Sequence, residues 1–173
     1  VAMQVDRDAE LCGQCHIRGD VTQIDASGGF IRHHEQYEEL FQSKKRVMDC
    51  VDCHDPHKPV RYAQGLGIKT ACENCHFEQA EFQKIQYIRH GGDCIKCHMP
   101  RVTKSALGDL DRYTGDVRTH LMAINPFSTS QFDEEGGLSQ PHLSLDFSCK
   151  GCHYEGGPGG VVSDEALVEM AVG

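Results

Sequence analysis

The chain contains no tryptophan among its 173 residues, and aromatics make up only 7%. Mean hydropathy is −0.47, so little apolar material is on hand for an ordinary core. No run approaches the roughly 20 apolar residues needed to cross a bilayer, which argues against a transmembrane segment in this sequence. Basic charge is also scarce: 17 Lys and Arg stand against 26 Asp and Glu, a net charge of −9. Phosphate backbones require basic clusters, so nucleic acid is not an expected partner. Strand-type alternation is weak, and no repeat longer than a short motif recurs. Cysteine is what the chain has in excess, ten in all.

All ten fall in one five-residue phrase: "CGQCH", "CVDCH", "CENCH", "CIKCH" and "CKGCH". Disulfide frameworks give no reason for a histidine after every second cysteine. Zinc ribbons use paired cysteines in fours and leave the following residue free. Five trailing histidines arising by accident have odds on the order of one in a million, whereas the phrase is the signature of c-type haem attachment. Two thiols bond the two vinyl groups of one haem, and the next residue is placed to reach the iron as proximal ligand. The sequence therefore predicts five covalent haem c groups, at Cys12/Cys15/His16, Cys50/Cys53/His54, Cys72/Cys75/His76, Cys94/Cys97/His98 and Cys149/Cys152/His153.

One haem per about 35 residues predicts that porphyrins form most of the core, each burying apolar area worth roughly 25 cal/mol per Å². Without haem the chain is expected to be largely unfolded. The fold expected is mostly irregular with a few short α-helices, haem-cored, with little or no β-sheet, as a single domain over 1–173. Helices are predicted in "HHEQYEELFQSKKRV", with Tyr37, Leu40 and Phe41 on one face, and in "EQAEFQKIQYIRH", with Phe82, Ile85 and Ile88 aligned and Gly91–Gly92 as terminator. A short terminal helix, "SDEALVEMA", has Ser163 as its cap. Residues 100–140 read as a long loop that wraps the haems or reaches a neighbour, and "YEGGPGG" reads as flexible.

The sixth ligand of each iron separates electron transfer from chemistry, because an iron ligated on both sides changes redox state without binding substrate. Six histidines outside the motifs are candidates: His33, His34, His57, His90, His120 and His142. Five irons need five. Methionines are read as packing residues, so bis-histidine ligation and low potentials are expected throughout.

The phrases "RHHEQYEEL", "CVDCHDPHK", "ACENCH", "IRHGGDCIKCHMPR", "GDVRTHLMAINP" and "LSLDFSCKGCH" occur in that order. Together they resemble the multihaem c-type cytochromes of respiratory electron export, and in particular the small extracellular cytochromes that polymerise into filaments, the cytochrome nanowires. The resemblance covers roughly residues 32–153. It implies distal ligands at His34, His57, His90 and His120, with His33 able to join them, and it implies head-to-tail homopolymers alongside redox-partner cytochromes. Filament cytochromes of similar size carry four haems, where this chain has five motifs.

The expectation is electron transfer through five closely packed haems in an extracellular filament, with a soluble periplasmic shuttle as the alternative. Haem attachment takes place outside the cytoplasmic membrane, and the chain starts at Val1, so an exported protein with its signal peptide removed is expected. A nitrite- or hydroxylamine-type reductase is set aside for want of length and of a lysine in place of any proximal histidine. The chain is thus expected not to be an enzyme.

Overall fold

The computed structural model describes residues 9–33, 35–60, 66–81 and 93–172. Its helices are short, as expected of a sequence without long apolar periodicity. They are α1 (Glu10–His16), α2 (Gln36–Gln42), α3 (Cys50–Cys53), α4 (Cys94–His98) and α5 (Asp164–Val172). A 3-10 turn covers Cys72–Asn74 and a π turn covers Asp146–Lys150. Residues 77–81 are also helical. The remainder of the second predicted helix, including Phe82, Ile85, Ile88 and Gly91–Gly92, lies outside the described residues.

One small sheet joins β1 (Ala26–Ser27), β2 (Phe30–Arg32) and β3 (Thr103–Lys104) in the order β1-β2-β3. β1 and β2 are antiparallel, with Ala26 opposite Ile31. β2 and β3 are parallel, with Ile31 opposite Thr103. The expectation of a mostly irregular chain with short helices and hardly any sheet therefore holds.

Beneath this sheet lies a polypeptide core of Ile24, Phe30, Ile31, Val102, Leu121, Leu143 and Phe147. Three aromatic edges converge on Phe147: Phe30, Tyr113 and Phe132 lie at ring distances of 6.3, 5.8 and 5.8 Å, each close to perpendicular. Such edge-to-face pairs add to simple burial. Val102, Leu121 and Phe132 all come from the segment expected to be a wrapping loop. That segment is instead a structural part of the core, and its irregular backbone is held by local acceptors. Burial works to raise the Asp116 carboxyl, but backbone N–H groups of Ser105, Leu107 and Ala106 outweigh it and hold the acid at about 2.

α2 departs most from its predicted form. It spans seven residues and ends at Ser43, whose N–H bonds the Glu39 and Leu40 carbonyls. Tyr37 does stack on Phe41, at 4.5 Å, yet Phe41 is 37% exposed while Glu35, Glu38 and Glu39 are fully buried. Each glutamate receives backbone donors from a distant segment. Glu35 takes Asp25 N–H, Glu38 takes Arg18 and Gly19 N–H, and Glu39 takes His120 N–H and the Thr103 hydroxyl. Buried carboxylates are tolerable only when so satisfied. Burial, opposed by the Asp25 N–H and aided by the neighbouring Glu38, Asp25 and Glu39 charges, lifts Glu35 to about 7.

Ser163 caps α5 as expected: its hydroxyl accepts Ala166 N–H and its carbonyl accepts Leu167 N–H. Lys150 ties this helix to the π turn by bridging Asp146 and Asp164 at 3.1 and 2.9 Å.

Candidate functional site

The cysteine phrases lie on short helical segments: the first four on α1, α3, the 3-10 turn and α4, and the fifth beginning at the end of the π turn. In the second, third and fifth, the histidine N–H bonds the carbonyl of the first cysteine, at 2.9, 3.0 and 3.1 Å. This closes one turn and stacks residues i and i+4 on one face. It therefore places the histidine ring beside the first thiol of its own pair. Local anchors hold the turns. Asp49 and Asp52 form a reciprocal capping box at α3. Arg118 donates to the Ile95 and Met99 carbonyls at the end of α4, where a cation also suits the helix dipole.

Among the described residues, which include all ten cysteines, no disulfide is formed. The thiols of consecutive motifs are neighbours. Cys50 lies within electrostatic reach of Cys12, Cys53 of Cys72 and Cys75, Cys94 of Cys72, and Cys97 of Cys149 and Cys152. The five turns thus follow one another in space in chain order. Burial first, then the adjacent Cys12, pushes the Cys50 thiol up to about 12. Burial and the nearby Cys97 take Cys149 to about 11.

Cys15, Cys72, Cys75, Cys97 and Cys152 are exposed on the polypeptide, and the other five cysteines are half-buried. For Cys15 the reason lies in how α1 packs. Its buried residue is Gly13, set so close to Tyr37 that a Cβ there would come within 2.6 Å of the ring. Cys15 is two residues further on, about 200° around the helix, and so faces away from α2 towards solvent. Of the first pair it is Cys12 that meets the second motif.

Two motif histidines have their Nδ1 fixed by a backbone carbonyl: His98 to Met122 at 2.8 Å, and His153 to Gly159 at 3.1 Å. A bond from Nδ1–H leaves Nε2 as the free lone pair, the state in which imidazole binds metal. Met122 has φ of 59°, a left-handed conformation uncommon outside glycine. It is the residue that presents its carbonyl to His98. The run expected to be flexible, "YEGGPGG", instead folds back through Gly159 N–H to the Cys152 carbonyl and lies against the His153 ring.

Opposite His54 stands His120, with ring centroids 6.1 Å apart. Two metal–imidazole bonds of about 2 Å each, plus the inner half of each ring, require a centroid separation of roughly 6 Å. The centroids of the proximal and distal candidates are therefore at a spacing that admits one metal. Burial, with His120 and His16 nearby, depresses the His54 pKa. Glu39 supports the distal partner through the His120 backbone and approaches its Nδ1 at 3.7 Å. That Nδ1 is buried without a hydrogen-bond partner.

The other candidates sit apart from these pairs. The Arg18 side chain hydrogen-bonds the His33 ring and carbonyl. His57 is exposed and donates its backbone N–H to Asp55. His142 is half-buried 3.4 Å from Asn125, and burial lowers its pKa. His16 is exposed and near His54. His76 Nε2 meets Lys45 Nζ at 2.9 Å. His34 and His90 lie outside the described residues. Sequence reasoning missed Glu39, Lys45 and the carbonyls of Met122 and Gly159. The carbonyls carry no side-chain signal.

Ten unlinked thiols, paired on turns with a histidine one turn on, and one histidine pair spaced for a metal are a donor set that fits covalent haem. No family model matches the chain, and no curated protein matches it. Among solved structures it is similar to the octaheme sulfite reductase MccA of Wolinella succinogenes, form II, with a TM-score of 0.51 at 18% identity. The similarity covers 81% of this chain and 30% of that one, so the chain spans less than a third of that protein's length. The shared property is fold: that of part of a multihaem cytochrome. The expectation that the chain is not an enzyme is overturned by this likeness, since the fold recurs inside a reductase. The likeness is also to a reductase rather than to a filament subunit. Among the described residues no helix is long and apolar enough to cross a membrane.

Proposed function

We propose that the chain is a multihaem c-type cytochrome that holds five haems in series and carries single electrons between redox partners outside the cytoplasm. The observation that carries this reading is the adjacency of consecutive motifs, from Cys12–Cys50 through to Cys97–Cys149. Haem bound at each motif supplies a one-electron centre whose potential follows from its axial ligands and their hydrogen bonds. The cysteine pairs anchor the group, and His16, His54, His76, His98 and His153 offer the proximal nitrogens. The Met122 and Gly159 carbonyls fix the orientation of His98 and His153. His120, held by Glu39, would supply the second nitrogen to a haem at the second motif. His33, His34, His57, His90 and His142 remain the candidate histidines for the other faces.

A second reading is favoured by the fold shared with a sulfite reductase. In it the relay is a portion of, or a feeder to, an enzyme reducing a small oxyanion.

Intact mass and haem-to-protein ratio of the exported holoprotein test the first reading. Five haems per chain, all reducible by one donor, are expected. A smaller number, or cysteines recovered in disulfides, overturns it. Electron microscopy of the same sample shows whether the series continues between copies. Consumption of sulfite or nitrite with reduced viologen as donor supports the second reading, and its absence removes that reading.

A further inference from the structure

Two of the buried glutamates around α2 have only half of their acceptors in use. The Glu39 N–H bonds the Glu35 carbonyl at 2.9 Å, so the turn is closed from Glu35 onward and Glu35 and Glu38 share a face. Glu35 Oε2 accepts Asp25 N–H at 2.8 Å, and Glu38 Oε1 accepts Arg18 and Gly19 N–H at 2.6 and 2.9 Å. The other oxygen of each, Glu35 Oε1 and Glu38 Oε2, is buried without a hydrogen-bond partner. The two carboxylates also lie within electrostatic reach of one another, and Asp25 and Glu39 add like charge. Among the described residues, lysine and arginine form their ion pairs with Asp25, Asp55, Asp109, Asp146 and Asp164, and none with Glu35 or Glu38. Buried charges are ordinarily paired or bound to a metal.

We infer that Glu35 Oε1 and Glu38 Oε2 bind one calcium ion beneath the loop of residues 18–25. Both unpartnered donors are carboxylate oxygens, which suit hard cations rather than zinc or copper. Among the described residues no group of three His, Cys, Asp or Glu side chains forms a metal site. The remaining donors therefore have to be neutral oxygens, from loop carbonyls and water. Calcium accepts such mixed and irregular sets of roughly six to eight oxygens, whereas magnesium demands a near-ideal octahedron. The position gives the ion a task. The loop leads from α1, which carries the first motif, to β1, and the two glutamates grip it at Arg18–Gly19 and at Asp25. A cation between them removes their mutual repulsion and fastens the loop to α2. It thereby holds the first motif beside the second, where Cys12 lies near Cys50. A rival arrangement is one proton held between the two free oxygens, which needs no ion.

Elemental analysis of the dialysed wild-type holoprotein, scaled to peptide mass, should find one calcium per chain. After chelator treatment, calorimetric titration with calcium chloride should show one site, and the thermal midpoint should rise with added calcium. Glu38→Gln keeps an acceptor for the Arg18 and Gly19 N–H groups but removes the charge. It should bind calcium at least about tenfold more weakly at unchanged haem content. Calcium held as tightly by Glu38→Gln would place the ion elsewhere, on haem propionates or surface acids, and overturns the inference. A wild-type protein that carries no calcium and melts at the same temperature with or without it also overturns the inference, and is the result expected of the shared proton. The wild-type measurements do not depend on the variant folding. Iron counted in the same analysis keeps the two readings separate, since fewer than five irons per chain would sink the five-haem reading and leave the calcium site standing.

Discussion

At the residue scale, the groups that tune the motif histidines are mostly carbonyls and one buried acid. His153 shows how tight the fit is. A Cβ on Gly159 would come within 2.7 Å of the His153 ring, below any ordinary contact. Gly159→Ala should therefore turn the ring and weaken its hold on iron, with one haem in the reduced protein becoming reactive to carbon monoxide. An unchanged carbon monoxide titration would show that the loop gives way instead. Glu39 acts on the opposite face of another motif. Its charge lies 3.7 Å from His120 Nδ1, and a carboxylate behind a ligating imidazole makes the imidazole more basic and favours ferric iron. Glu39→Gln removes that charge but keeps an acceptor for the Thr103 hydroxyl. The expected loss is about 1 kcal/mol of preference for the ferric state, or roughly 40 mV upward for one electron. Spectroelectrochemistry should find a single haem moved and the rest in place.

At the element scale, short turns are joined by loops that bind backbone donors with side-chain acceptors. Asp116 is the clearest case, three N–H groups converging on one carboxylate. Its folded pKa, about 2, lies below the ordinary value of 3.8. The stability it contributes is therefore present above pH 4 or so and is lost as pH falls through 2. Asp116→Asn should lower the unfolding midpoint at pH 6, and the gap to wild type should narrow progressively towards pH 2. Acid-dependent melts followed at a haem band would show this; a gap independent of pH would mean that the carboxylate's charge plays no part. This scale also shows where the sequence was readable. The motif turns and the α5 cap were visible because cysteine spacing and Ser163 act locally. The burial of Glu35, Glu38 and Glu39 was not, since their donors come from residues 18–25, 103 and 120. Of the apolar stripe at helical spacing Leu40 is buried and Phe41 exposed, because the glutamates with long-range donors share the inward side. The exposure of Cys15 was hidden for a related reason, because the face α1 buries is chosen by Tyr37 of another helix and not by the motif. Likewise 100–140 lacks periodicity because bridges and single core residues, not regular elements, hold it.

At the scale of the whole molecule, two apolar systems divide the work. One is the Ile24–Phe147 cluster under the sheet. The other is the row of motif turns, around which Leu11 and Phe77 are 69% and 66% exposed as the polypeptide stands. Side chains like these adjoin the attachment sites and would cover porphyrin faces. Produced in a host unable to attach haem, the chain should retain hydrogen-exchange protection only near β1–β3 and Leu143–Phe147, with the motif turns exchanging freely. It should also lose most of its cooperative melting. Uniform protection would mean that the polypeptide core alone specifies the fold.

The chain-order adjacency of the thiols bears on how such a protein can be made at all. In an oxidising compartment neighbouring cysteines readily cross-link. Here the neighbours Cys12 and Cys50 belong to different motifs, so a bond between them would disable two attachment sites at once. Only a thiolate attacks to form such a bond. With the Cys50 thiol pushed up to about 12, almost none is present at neutral pH. Burial, the larger cause, and the neighbouring thiol thus together hold Cys50 in its less reactive form, which slows the cross-link that closeness invites.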